Sequence, residues 1–126
     1  MKQEEKDLLL KDLCGRLPYG IKCYITEIND TRTLGTIQYE NENSLFDFWN
    51  VSHTRYEHQL YLSEFKPYLF PLSSMTKEQK IRISAIQDMG LSYYHLLVDR
   101  YNEWHIDYRG LIEKGLALDA TGLNIY

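Results

Sequence analysis

The chain has 126 residues, 44% of them hydrophobic and 25% charged, with 14 Lys or Arg against 18 Asp or Glu and a net charge of -4. That length and balance suit one globular domain, residues 1–126, which hides roughly two thirds of its unfolded surface without help from metals or disulfides. They exclude the broad positive field that phosphate binding needs, and no run of like charge marks a tail.

The segment Met1-Lys2-Gln3-Glu4-Glu5-Lys6 has no signal-peptide pattern, and no apolar run reaches membrane-spanning length, so a cytoplasmic location without a membrane partner is expected. Residues 4–17 predict a helix: Leu9, Leu13 and Leu17 recur every four residues beside Leu10 and Cys14, and Pro18 stops it. Residues 19–28 predict a strand in which Ile21, Cys23 and Ile25 alternate with Lys22, Tyr24 and Thr26. After the turn signal Asn29-Asp30-Thr31, residues 33–39 read as a second strand. Residues 40–44 read as a polar loop, 45–49 as a third strand and 59–62 as a last short strand, while 50–58 show no pattern. Pro67 and Pro71 argue against a central strand over Lys66–Leu72, which reads instead as an extended segment packed over the core.

Thr76 and Gln79 form a capping box for a helix whose inner face is Ile81, Ala85, Ile86 and Met89, ending near Gly90. Ser92 is placed to cap the next helix, along which Tyr93, Leu97, Arg100, Tyr101 and Trp104 follow helical spacing. Residues 111–115 suit a single helical turn closed by Gly115, and Leu116-Ala117-Leu118 docks on the core. The expected fold is α+β: an N-terminal helix, a small antiparallel meander sheet that can curl into a barrel, two helices and a short C-terminal helical turn. Cys14 and Cys23 fit no Cys-x-x-Cys or zinc-ribbon spacing and lie in apolar patterns, so both are expected to be free and buried.

Three blocks carry a resemblance. They are Leu8-Leu9-Leu10-Lys11-Asp12-Leu13-Cys14-Gly15-Arg16-Leu17-Pro18-Tyr19-Gly20-Ile21-Lys22, the run from Tyr61 to Thr76 around Phe65-Lys66-Pro67-Tyr68-Leu69-Phe70-Pro71, and His105-Ile106-Asp107-Tyr108-Arg109-Gly110-Leu111-Ile112-Glu113-Lys114-Gly115-Leu116-Ala117. Together they resemble a family of short uncharacterised proteins of gut anaerobic bacteria, their phages and their mobile elements. Residues 26–60 lie outside the resemblance. It implies a cytosolic accessory protein of phage or mobile-element origin, and it transfers no site residues. Family members often show His-His before Phe-Asp-Tyr-Arg-Gly; here Trp104-His105-Ile106 stands instead, which weakens a paired-histidine metal site.

The four histidines are His53, His58, His95 and His105. His53 and His58 share no face of a strand or helix, and His95 could meet His105 only if the last helix folds back. No metal is expected. His105, Asp107 and Arg109 form the densest polar group and are the candidate catalytic residues, with His105 as base, Asp107 orienting it and Gly110 letting a ligand approach the backbone. The structural reading is preferred to this, since nothing supplies a nucleophile or oxyanion hole: Asp107 caps the Leu111 turn or starts a turn, and Arg109 pairs with a carboxylate. Thr76 already occupies the helix end behind Ser73-Ser74, and the chain has no Gly-rich phosphate loop, Walker motif or Gly-x-Ser-x-Gly, so no cofactor is expected. Phe46, Phe48, Trp49, Tyr56 and Tyr61 could stack single-stranded nucleic acid, but only Arg55 accompanies them, and no nucleic-acid partner is expected.

The leading functional expectation is a non-enzymatic interaction module, with a small enzyme and a single-stranded nucleic-acid binder as the alternatives. A non-enzymatic module binding a host or phage protein predicts an exposed apolar or tyrosine-rich patch, for which the 11 tyrosines are suited. A small enzyme predicts a pocket holding His105 and Asp107. A nucleic-acid binder predicts exposed sheet aromatics with a basic rim.

Overall fold

The computed structural model describes residues 1–40 and 43–126. Helix α1 spans Gln3–Arg16, with Glu4 and Glu5 in its first turn and Arg16 in its last, so both ends complement the helix dipole. At Pro18 the chain tightens into a 3₁₀ turn over Leu17–Tyr19 and leaves through Gly20 at φ 71°. The buried stripe of α1 is Leu9, Asp12, Leu13 and Arg16, at spacing i, i+3, i+4, i+7. Asp12 and Arg16 enter the interior because each neutralises the other, and this turns the helix so that Cys14 faces solvent. The expectation of two buried cysteines is therefore corrected: Cys14 is exposed and Cys23 is buried. Burial pushes the Cys23 thiol well above its ordinary value. Thiol titration of the native protein should give one fast-reacting group, and two after unfolding. Two fast groups in the native state would show that Cys23 is not packed as described.

Strands β1 (Lys22–Ile25), β2 (Asp30–Glu40), β3 (Asn43–Trp49), β4 (Tyr56–Leu60) and β5 (Phe65–Pro71) are followed by α2 (Lys77–Gln87), α3 (Tyr94–Glu103), β6 (Ile106–Asp107) and β7 (Leu118–Asp119). The loop read over 40–44 is shorter than expected, and residues 41–42 lie outside the described residues. The segment 50–58, unplaced by sequence, makes the turn into β4 and its first residues. The described strands form one seven-stranded sheet of order β4-β3-β2-β1-β5-β6, with β7 also on β5. β1 pairs antiparallel with β2 and β5, but β6 and β7 join β5 in parallel. The sheet is thus mixed and open, not an antiparallel meander curled into a barrel. The parallel rungs arise because the chain crosses over through α2 and α3 and re-enters in the direction of β5, which no hairpin can do.

β5 is the second correction, since it is a sheet-interior strand despite its prolines. Antiparallel rungs to β1 fall on alternate residues: Thr26 N–H reaches Glu64 C=O, and the Tyr126 hydroxyl accepts from Lys22 N–H at 2.9 Å and donates to Tyr68 C=O at 2.8 Å. Pro67, opposite Cys23, falls between those rungs, so its missing N–H leaves no gap there. Phe46 and Phe48 meet Phe65 edge to face at 5.0 and 4.9 Å in the core, together with Leu9 and Leu13 of α1 and Leu111 and Leu116 of the C-terminal block.

The Thr76 capping box forms as read: Gln79 N–H donates to Thr76 Oγ1 at 3.1 Å and Thr76 N–H to Gln79 Oε1 at 2.9 Å. The inner face of α2 is another matter. Ile83 is its buried residue, whereas Ile81, Ala85 and Met89 point to solvent. α2 packs mainly on α3 and the turn between them, so only a narrow line of it is covered. Ser92 does not cap α3, because it lies inside a 3₁₀ turn over Leu91–Tyr93 that precedes the helix.

Candidate functional site

The C-terminal block sits where α1, α3 and the end of β5 converge. Asp12 is the hub. Its carboxylate accepts from Arg16 Nε at 2.7 Å and from Arg109 Nε at 3.1 Å, and Arg16 Nη2 continues to the Ile106 carbonyl at 2.6 Å. Asp12 and Arg16 are fully buried. The Tyr108 ring lies beside both guanidinium groups, 5.5 Å from Arg16 and 4.8 Å from Arg109, and its hydroxyl accepts from Arg109 Nη2 at 2.8 Å. Cation–π contact therefore shares the second positive charge that one carboxylate cannot neutralise.

Asp107 is spent on the backbone. Its two oxygens accept from the N–H groups of Leu111 and Ile112, both at 2.9 Å. Residues 111–115 form a turn in which Lys114 N–H reaches Gly110 C=O, and Gly115 at φ 73° ends it before it can become a helix. Gly110 stands at φ 74°, where a side chain would be strained.

His105 adopts φ 59° and lies flat against Tyr126, ring centroids 3.7 Å apart at 16°. The imidazole is therefore half-buried and not turned to solvent. The residue sits between the sheet and the last residues of the chain because its C=O accepts from Phe70 N–H at 2.8 Å, the first link to β5 before β6. Burial, and then the charges of Arg16 and Lys22, push its pKa from 6.5 down to about 4. Folding thus favours the neutral ring: the stability it contributes is complete above the unfolded value near 6.5 and is lost as pH falls toward about 4. The melting temperature should drop through that window. His105→Phe keeps a ring on Tyr126 but removes the titration, so its melt should be flatter there. Equal slopes in the two proteins would contradict the assignment.

The three sequence candidates are therefore neighbours without a common target. Arg109 faces Asp12 and Tyr108, Asp107 faces the 111–112 backbone, and His105 faces Tyr126. His95 lies in the first turn of α3 and His105 two residues past its last, so the length of the helix separates them. Among the described residues no group of three or more His, Cys, Asp or Glu is placed to hold a metal. Of the aromatics proposed for stacking, Phe46 and Phe48 are in the core, while Trp49 and Tyr56 pair at 4.4 Å on the outer sheet face. Beside them Asp47 accepts from Thr36, Gln38 and Gln59, tying three strands together rather than presenting a base. The buried Asp12–Arg16 pair escaped the sequence reading; its signal is opposite charges four apart on a leucine-rich helix.

The other feature that stands out is the end of the α2–α3 hairpin. Leu91, in the 3₁₀ turn after Gly90, is 93% exposed, and Tyr94, the first residue of α3, is 57% exposed. They border a groove of about 460 Å³ lined by Ile86, Gly90, Tyr93 and Leu97. No family model, curated protein or solved structure matches the chain. No described helix is long and apolar enough to cross a membrane.

Proposed function

We propose that this chain is a non-enzymatic interaction module that binds another protein through Leu91, Tyr94 and the groove between them and Leu97. The observation that carries the reading is Leu91, a leucine 93% exposed on the 3₁₀ turn between two helices and next to an apolar concavity. A scattered surface leucine needs no explanation, but one set beside a second large apolar side chain and a groove marks a contact site. The helices set the backbone on either side of these groups, so a partner would have mainly their side chains to order on binding. The polar cluster gives the enzyme reading less support, since its carboxylates and guanidinium groups are each engaged within the fold. The resemblance to phage and mobile-element proteins suggests a host or phage protein as the partner.

The test is capture from host lysate with tagged wild-type protein and with the double variant Leu91→Ser/Tyr94→Ser. The expected result is a partner retained by the wild type and lost by the variant, with the two baits showing the same circular dichroism. Capture that survives the double substitution would move the contact elsewhere.

A further inference from the structure

We infer that the outer face of α2 is a homodimer contact, in which a second copy of the chain packs antiparallel about a two-fold axis at Ala85. This face uses none of the residues that line the Leu91 and Tyr94 groove, although Met89 precedes Gly90 at its edge. Ile83 already serves the inner side of α2, yet the helix and the turn that closes it carry a second apolar row at intervals of four residues, Ile81 and Ala85 on the helix and Met89 just past its end, turned away from Ile83. Ile81 is 61% exposed and Met89 51% exposed. The row is a large–small–large ridge of i±4 spacing. Ridges of this kind pack into one another with their closest approach at the centre, where the small side chain of Ala85 lets two backbones come near.

The charges bordering the row fit a second copy better than a strongly acidic or basic partner. Lys77 and Asp88 lie on one flank, at opposite ends, and Glu78 and Arg82 lie on the other, four residues apart and so able to pair within the helix. Their sum is zero, so two copies do not repel. In an antiparallel two-fold pair each flank meets its own image. With a rise of about 1.5 Å per residue, Lys77 stands about 12 Å before Ala85 and Asp88 about 4.5 Å after it. Reversal of the second helix brings its Asp88 to within about 7.5 Å of Lys77 along the axis, a gap that a lysine stem spans. The face is thus self-complementary in shape and in charge. A single helix pair buries less than the roughly 800 Å² per partner of a standard interface, so a weak, concentration-dependent dimer is expected.

Sedimentation equilibrium of the full chain from about 1 µM to about 500 µM tests this, a range that spans weak association. The wild type should pass from monomer to dimer. Ala85→Glu and, independently, Met89→Lys should weaken association at least about tenfold. Lys77→Glu alone and Asp88→Lys alone should each weaken it, and Lys77→Glu/Asp88→Lys should restore it. All four positions are exposed, so the variants should melt like the wild type when dilute. Leu91→Ser/Tyr94→Ser should dimerise normally, which separates this inference from the partner-binding one. A monomer at every concentration, or a dimer indifferent to Ala85→Glu and Met89→Lys, overturns the inference. A double charge swap that fails to restore association overturns the antiparallel arrangement.

Discussion

Asp12→Ala should destabilise the fold by about 3–5 kcal/mol, the usual cost of stranding a buried charge. Asp12 is the one carboxylate shared by Arg16, which is fully buried, and Arg109, which is mostly covered. Its removal leaves Arg16 holding only the Ile106 carbonyl and the face of the Tyr108 ring. The loss belongs to the uncompensated arginine more than to the ion pair itself. Asp12→Ala/Arg16→Met should therefore recover much of the stability, since an apolar pair of similar bulk can replace a buried ion pair at little cost. Chemical denaturation of the two variants checks this. A loss below about 1 kcal/mol for Asp12→Ala would mean that water reaches the pair.

Leu111→Ala should cost about 2–5 kcal/mol, measured in the same way. Leu111 is fully buried in the core formed by α1 and the sheet. Its backbone is also the knot of the C-terminal block: its N–H goes to Asp107, and its C=O accepts from the N–H groups of Leu116 and Ala117. Truncation opens a cavity at a point where hydrogen bonds on both sides prevent the backbone from closing in. An unchanged denaturation midpoint would show that residues 105–117 merely lie on the surface.

Local signals in the sequence proved dependable where a single element decides the outcome. The Thr76 box, the Ile21/Cys23/Ile25 alternation and the stop at Pro18 each depend on residues within one turn or strand of one another, and each is present. Readings that depended on which neighbour covers a face failed for that reason. The apolar row of α2 reads as an inner face because a sequence shows amphipathicity without showing that α3 covers only the Ile83 side. The proline strand β5 is interior because the register, set by β1, places Pro67 between rungs. Asp107 as a cap and Arg109 as an ion-pair partner were legible from residue type next to Gly110, but the partner of Arg109, Asp12, lies 97 residues away. Tyr126 bridging Lys22 and Tyr68 had no local signal at all.

The C-terminal block is spent on holding the fold, and the end of the helical hairpin is the contact surface we propose. The most direct test is the folding free energy of Leu91→Ser/Tyr94→Ser in dilute protein, from chemical denaturation beside the wild type. If these side chains serve contact, the double variant should match the wild type to within about 0.5 kcal/mol, as surface substitutions do. A loss of about 2 kcal/mol or more would show that Leu91 and Tyr94 already pack within the chain, and would contradict the assignment of that end of the hairpin as a binding surface.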